Sequence, residues 1–325
     1  MKNILVSGAS GIVGYGALRS LGALGDRCRR IGTAIYADSV APAFCEVFER
    51  APMTVDAGYL EWLCSVIERH RVDMVIPGIE VDMYAWTEHR GRIQDAGAVC
   101  LLNNPELIAL CGDKWHFYER LAGTGSAYAI ESRLSGGFRE LASELGLPFL
   151  LKPRRGYASR GIVLVDSEAV FDEHAAYLGE RLMAQPLVGD AEQEYTTSAF
   201  FTAGGELRCH MTLRRKLSRE GFTEKAEVAE VDGMEAALRS LAAVFEPVGP
   251  TNFQFRRGAD GGLKLLEINP RISSATSIRS AFGYNEAVMS VEYFLEGRIP
   301  VQPVVRKGVA IRYTEEHVFY DRDHL

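Results

Sequence analysis

Two short stretches of this 325-residue chain combine residue types that do phosphate and metal chemistry. In LPFLLKPRRGYASRGI, Lys152 closes an apolar run, and Arg154, Arg155 and Arg160 follow it in a short loop with Gly156 and Gly161. A triphosphate carries several negative charges, and a basic loop with glycines can surround it with side chains and backbone N–H groups. Arg155, Gly156, Ser159 and Gly161 are therefore candidate phosphate contacts, against the alternative of a solvated basic turn. The second stretch, TNFQFRRGADGGLKLLEINPRIS, reads as two paired strands that bring Gln254 near Glu267 and Asn269. Side chains alternate along a strand, so Glu267, Asn269 and Arg271 point to one face if the extended backbone persists through Pro270. Such oxygen donors suit hexacoordinate Mg²⁺, which keeps waters and phosphate oxygens in its other positions. An arginine beside them can neutralise a phosphoryl group in transfer. A capped turn at the end of a strand is the alternative for LEINPR.

These residues need a frame, and the sequence supplies two kinds. Residues 3–6 form an apolar strand running into GASGIVGYG, after which Ile12, Val13, Ala17, Leu18, Leu21 and Leu24 recur at helical spacing. Further strands are expected at 31–37, ending at Asp38, at 72–76 and at 99–102, separated by helical segments. That alternation predicts a parallel sheet with helices on both faces over residues 1 to about 110. After a helical stretch at 113–121 the pattern changes. Strands are expected at 148–152, 161–165, 181–185, 195–202, 206–213, 251–257 and 263–268, with helices at 168–177, 234–245 and 286–295. The pair at 195–202 and 206–213 is joined through Gly204-Gly205, a hairpin turn, so this half is α+β with mainly antiparallel sheet.

The opening glycines admit two readings. GASGIVG could approach a pyrophosphate, with Asp38 on a ribose as in nicotinamide enzymes; a tight strand-to-helix turn needs the same glycines, and that reading is favoured. Glu80 and Asp82 follow a strand end, where open α/β sheets present ligand groups; solvated charges are the alternative. Arg214, Arg215 and Lys216 end a strand in a basic cluster, and Ser273 and Ser274 follow PRI as a small-residue turn or a helix cap. His89, His116, His174 and His210 stand apart with no ligand spacing.

Composition excludes several classes. With 36 Lys and Arg against 43 Asp and Glu, the net charge of −7 argues against non-specific attraction to nucleic acid or an anionic membrane and for small-molecule partners. No apolar run approaches the roughly 20 residues of a membrane-spanning helix, and MKNILVSGAS lacks the apolar block of a secretory signal, so a cytoplasmic protein is expected. Six scattered cysteines show no CxxC pair, so they read as reduced, mainly buried small hydrophobes.

Taken together, these motifs resemble the ATP-grasp superfamily and are most similar to the carbamoyl-phosphate-synthase large-subunit type of ATP-binding domain, over nearly the whole chain to about Gly297. The resemblance implies a Rossmann-like pre-ATP-grasp domain at 1–112 and an ATP-grasp domain at 113–300. Within the latter it implies a lid at about 124–186 and a metal-bearing antiparallel sheet at about 187–300, with a terminal segment at 301–325. It implies Gln254, Glu267 and Asn269 as magnesium ligands, and Arg271 and Lys152 as catalytic phosphate contacts. Lys114 in GDKWHFYERL and Lys152 resemble the two nucleotide-contacting basic residues, and the loop 154–161 is expected to close over the nucleotide. In MAQPLVGDAEQEYTTSAFF, Leu187 falls at the adenine hinge and Glu194 at the ribose; Gln185 stands where a glutamate is common. The implied cofactors are ATP and Mg²⁺, with room for two ions and with Mn²⁺ as a substitute.

The function this implies is an ATP-dependent ligase that activates a carboxylate as an acyl phosphate for an amine or ammonia, forming ADP. The alternatives are a carbamoyl-phosphate-synthase-like phosphorylation of bicarbonate or carbamate, a nicotinamide dehydrogenase, and a nucleotide-binding regulator without turnover. Small-molecule carboxylate and amine partners are expected, no nucleic acid or membrane, and a homo-oligomer is compatible with the sequence.

Overall fold

The computed structural model describes residues 1–156, 161–218 and 221–320. Five strands, β1 (Lys2–Val6), β2 (Cys28–Ala34), β3 (Val47–Arg50), β4 (Met74–Ile76) and β5 (Val99–Cys100), form a wholly parallel sheet in the order β3-β2-β1-β4-β5. Helices cover both faces, so β1 and β4 are buried throughout their central residues and read as apolar runs rather than alternating ones. The helix Ile12–Leu21 lays Ala17, Leu18 and Leu21 on the sheet, while Tyr59–His70 lays Leu63, Val66 and Ile67 on the opposite side. Strand order reverses at β1, whose neighbours β2 and β4 lie on either side. A crevice therefore opens at the carboxyl ends of β1 and β4, which is where such sheets bind ligands.

A small sheet follows, in the order β7-β6-β8, from β6 (Phe149–Pro153), β7 (Val163–Val165) and β8 (Leu182–Pro186). The helix Phe138–Leu145 closes its core with Leu141 and Leu145 against Phe149, Leu151, Val165 and Phe171. The third sheet has six antiparallel strands: β9 (Glu194–Thr202), β10 (Glu206–Leu217), β11 (Thr223–Val228), β12 (Gly249–Arg257), β13 (Leu263–Asn269) and β14 (Val309–Ile311), ordered β13-β12-β9-β10-β11-β14. One face packs on the helix Met234–Phe245, through Leu238, Leu241 and Phe245 against Phe201, Phe253 and Phe255. Toward the first sheet, the helix Glu286–Glu296 sends Ala287 and Val291 into the core under β1 and Met289 into the core on β10. Together with Ile272, just past β13, in the same core, that helix joins the crevice of the first sheet to the end of β13.

Several elements depart from the sequence reading. The second strand lies at Cys28–Ala34 rather than 31–37, because register with β1 pairs Lys2 with Cys28 and leaves Tyr36 and Asp38 exposed beyond the strand end. Strands β3, β11 and β14 were not anticipated: they are short or polar and are held by pairing rather than by a buried face of their own. The helix Phe138–Leu145 was also missed, and the one expected at 168–177 is a helix Glu168–Asp172 followed by a separate turn at Ala175–Tyr177.

Candidate active site

The Gly8–Gly14 turn owes its glycines to close backbone packing. A Cβ on Gly14 would lie 2.4 Å from the Gly8 carbonyl oxygen, and one on Gly78 would lie 2.0 Å from that of Ser7. The turn after β1 and the turn after β4 are thus pressed together at the crevice, and Ile79 and Glu80 emerge beside them. Asp82, two residues on, is buried and accepts hydrogen bonds from Thr54 (2.6 Å) and Tyr59 (2.8 Å), which makes it structural.

Above the crevice, β12 and β13 carry the polar residues that the sequence singled out. Register pairs Gln254 with Glu267 and Asn252 with Asn269. Gln254 Nε2 donates to Glu267 Oε1, and Asn269 Nδ2 donates to the same oxygen at 3.0 Å. Arg271 donates to Asn269 Oδ1 at 3.2 Å and forms an ion pair with Glu80. At the other end, Arg215 donates to Gln254 Oε1 and to Glu194 Oε1 at 2.7 Å, while Arg256 holds Glu194 Oε2 at 2.8 Å. A continuous line of polar contacts therefore runs Glu194, Arg215, Gln254, Glu267, Asn269, Arg271, Glu80, from the six-stranded sheet to the first sheet. Glu194 is buried and takes four arginine N–H bonds, so a ribose hydroxyl there would have to displace one of them.

Lys114 opens the helix Lys114–Ala122, capped by the Asp113 carboxylate, and its Nζ donates to the Gly156 carbonyl at 2.8 Å. Burial works to raise the Asp113 carboxyl, but Arg154 at 2.9 Å and the Trp115 N–H outweigh it and hold the group below its usual range. Arg155 is exposed and lies 3.4 Å from Asp113. Gly156 and Gly161 both have positive φ (128° and 74°), a backbone that glycine adopts without strain. Ser159 and Arg160 lie outside the described residues. Lys152, near the end of β6, has its ammonium pushed down to about 8 by burial, with the Glu267 carboxylate pulling the other way.

A cleft of about 760 Å³ is bordered by Lys114, Arg155, Glu267, Asn269, Arg271 and Ser273. Lys152 and Gln185 line a separate cavity of only about 20 Å³, and there Gln185 donates to Ser132 at 2.8 Å. Leu187 is exposed just beyond β8. One carboxylate and two amide carbonyls form a hard oxygen set, and Glu267 Oε2 has no hydrogen bond among the described residues. That donor chemistry fits magnesium, with the remaining positions left to water and phosphate.

Sequence reasoning missed Asn252 and Arg256, although period two along β12 places both on the Gln254 face. It also missed Arg279, fully buried beneath the site, whose guanidinium reaches Ser273 Oγ (2.7 Å), Asn252 Oδ1 (2.8 Å) and Thr196 Oγ1 (3.0 Å) and faces buried Glu286 at 3.7 Å. No spacing in the sequence signals that pair.

Comparison with known proteins agrees with this architecture. Residues 180–317 match the family described as ATP-grasp in the biosynthetic pathway with Ter operon. The N5-carboxyaminoimidazole synthetase of Staphylococcus aureus, solved with ADP, superposes with a TM-score of 0.75 at 16% identity, over 96% of this chain and 82% of that one. The chain has the ATP-grasp fold. The N5-carboxyaminoimidazole synthase of Aspergillus clavatus, solved with ADP and 5-aminoimidazole ribonucleotide, gives 0.70 at 20% identity, over 95% and 81% of the two chains. The biotin carboxylase domain of the Hydrogenobacter thermophilus 2-oxoglutarate carboxylase, solved with MgADP, ADP and bicarbonate, gives 0.70 at 15% identity, over 95% and 73%. An uncharacterized protein of Sinorhizobium fredii is 28% identical over 186 residues, which span 52% of this chain and 38% of that protein. No helix among the described residues is long and apolar enough to cross a membrane.

Proposed function

We propose that this ATP-grasp chain is an ATP- and Mg²⁺-dependent ligase that activates a carboxylate as an acyl phosphate for attack by an amine or ammonia, releasing ADP and phosphate. The polar line from Glu194 to Glu80 carries the reading, because it sets a metal-type oxygen cluster and an arginine along the floor of one large cleft. Lys114, Lys152, Arg155 and the N–H groups at Gly156 and Gly161 would grip the phosphates, with Ser159 in the same loop. Gln254, Glu267 and Asn269 would hold magnesium, which neutralises phosphate charge when bound. Arg271, tethered at Asn269 and Glu80, would stabilise the oxygens of the phosphoryl group in transfer. The adenine would lie by Gln185 and Leu187 with the ribose toward Glu194, which requires the small sheet to open, since the present cavity is smaller than a purine.

A carboxylate is a poor acyl donor because its oxygen leaves as a strong base. Phosphorylation makes that oxygen a good leaving group, after which attack needs proximity more than a dedicated base. Bicarbonate belongs in the substrate screen because the Hydrogenobacter domain was solved with it. The test is ADP release with MgATP across pairs of carboxylates and amines, with nucleotide binding followed by calorimetry. Tight NADP binding with no ATP binding would overturn the reading.

A further inference from the structure

The cleft has two unlike walls. Its floor and lid side carry Lys114, Arg155, Arg215 and Arg271, the charges a triphosphate requires. The wall contributed by the first sheet, residues 12–84, brings a single charged side chain among the described lining residues, Glu80, set between aliphatic ones. Ile12 and Val13 are partly exposed at the start of the helix Ile12–Leu21, while Ile79 and Val81 flank Glu80 and stay 36% and 53% exposed although both border the cleft. Arg271 occupies Glu80 Oε1, and Oε2 has no hydrogen bond among the described residues. A concave apolar wall with one carboxylate edge matches a cation attached to a hydrocarbon group. A phosphorylated acceptor would meet the Glu80 carboxylate and no cationic side chain among the described residues of this wall.

We propose that this wall recognises the amine co-substrate. That co-substrate is a primary amine bearing an aliphatic or aromatic group, with its ammonium on Glu80 and its apolar part against Ile12, Val13, Ile79 and Val81. The inference rests on the ligase reading and narrows it. Glu80 then has two duties: it orients Arg271 through one oxygen and anchors the nucleophile through the other, which brings the amine beside the phosphoryl-transfer site.

The experiment is calorimetry on the full chain saturated with MgADP, using 3-methylbutylamine, its uncharged isostere 3-methylbutanol, ethylamine and O-phosphoethanolamine as probes. The expected order has 3-methylbutylamine tightest, about tenfold or more ahead of the alcohol and of O-phosphoethanolamine, and ahead of ethylamine by the lost apolar contact. Glu80→Gln should bring the amine and alcohol together. Val81→Ser should weaken 3-methylbutylamine relative to ethylamine and leave MgADP binding unchanged, because Val81 is exposed and outside the phosphate grip. Equal binding of O-phosphoethanolamine, or an amine preference that survives Glu80→Gln, would overturn the assignment while MgADP binding still upheld the ligase reading. Failure to bind MgADP at all would remove both.

Discussion

Glu267 is the one carboxylate among the three oxygen residues of the proposed metal site, and both neighbouring amides donate to it. Glu267→Gln keeps the volume and removes the charge, so MgATP turnover should fall by at least about 100-fold. The thermal unfolding midpoint should stay within about 2 °C, because the side chain is only partly buried and the amide can still bond its neighbours. Near-normal ADP release by this variant would refute the metal assignment. Lys152 gives a second prediction with a definite sign. Its ammonium titrates at about 8 instead of the ordinary 10.5, so between those values the unfolded chain binds the proton and the free fold does not. This group's contribution to stability therefore rises with pH across that window, and the cost of burying the charge is fully present below about pH 8. Phosphate beside Lys152 would restore its proton. MgADP binding at pH ~8.5 should consequently take up protons, seen as a dependence of the calorimetric heat on buffer ionisation, and Lys152→Met should abolish the uptake. Equal heats in all buffers for the unaltered protein would place Lys152 away from the phosphates.

At the scale of elements, two contacts hold the site's parts in register. The turns after β1 and β4 lie close together, with the Gly78 N–H donating to Ser7 Oγ at 3.2 Å, so Gly78→Ala must push Cβ against the Ser7 carbonyl and separate them. A loss of about 1–3 kcal/mol in denaturant unfolding is expected, as for other overpacked positions. Beneath the site, Arg279 on the helix Thr276–Ala281 joins Thr196 of β9, Asn252 of β12 and Ser273 while facing Glu286. Arg279→Met leaves that carboxylate buried and uncompensated, and about 3–5 kcal/mol should be lost. Adding Glu286→Leu should recover much of the loss, because a buried pair replaced whole by apolar groups costs far less than one broken in half. If the double variant is no more stable than the single one, the pair does not act as a unit.

For the whole molecule, three sheets converge on one cleft, and the reaction proposed for it has a distinctive isotope signature. With ¹⁸O in the carboxylate, one labelled oxygen should pass into phosphate, and ADP should be the nucleotide product. Formation of AMP and pyrophosphate would exclude the acyl-phosphate route.

Residue types and local periodicity were enough to show the parallel first sheet, the hairpin of β12 and β13, and the Gln254, Glu267, Asn269 and Arg271 cluster, because alternation along paired strands brings these residues together through local geometry. The helix Met234–Phe245 was legible to the residue for the same reason: its apolar positions repeat at helical spacing. What local pattern could not decide was partnership across long separations. Arg271 meets Glu80 across 191 positions, Arg215 and Arg256 converge on Glu194, and Arg279 reaches three elements from a buried position. The edge strands β3 and β14, and β11 between β10 and β14, likewise exist through their neighbours, since a half-exposed strand with polar residues has little buried surface of its own to mark it. The sequence by itself determined the chemistry available to this protein; packing between the first and third sheets, through the helices Thr276–Ala281 and Glu286–Glu296 and through Ile272, decided which of those charges meet, because contacts between residues far apart in the chain bring Glu80 to the end of β13.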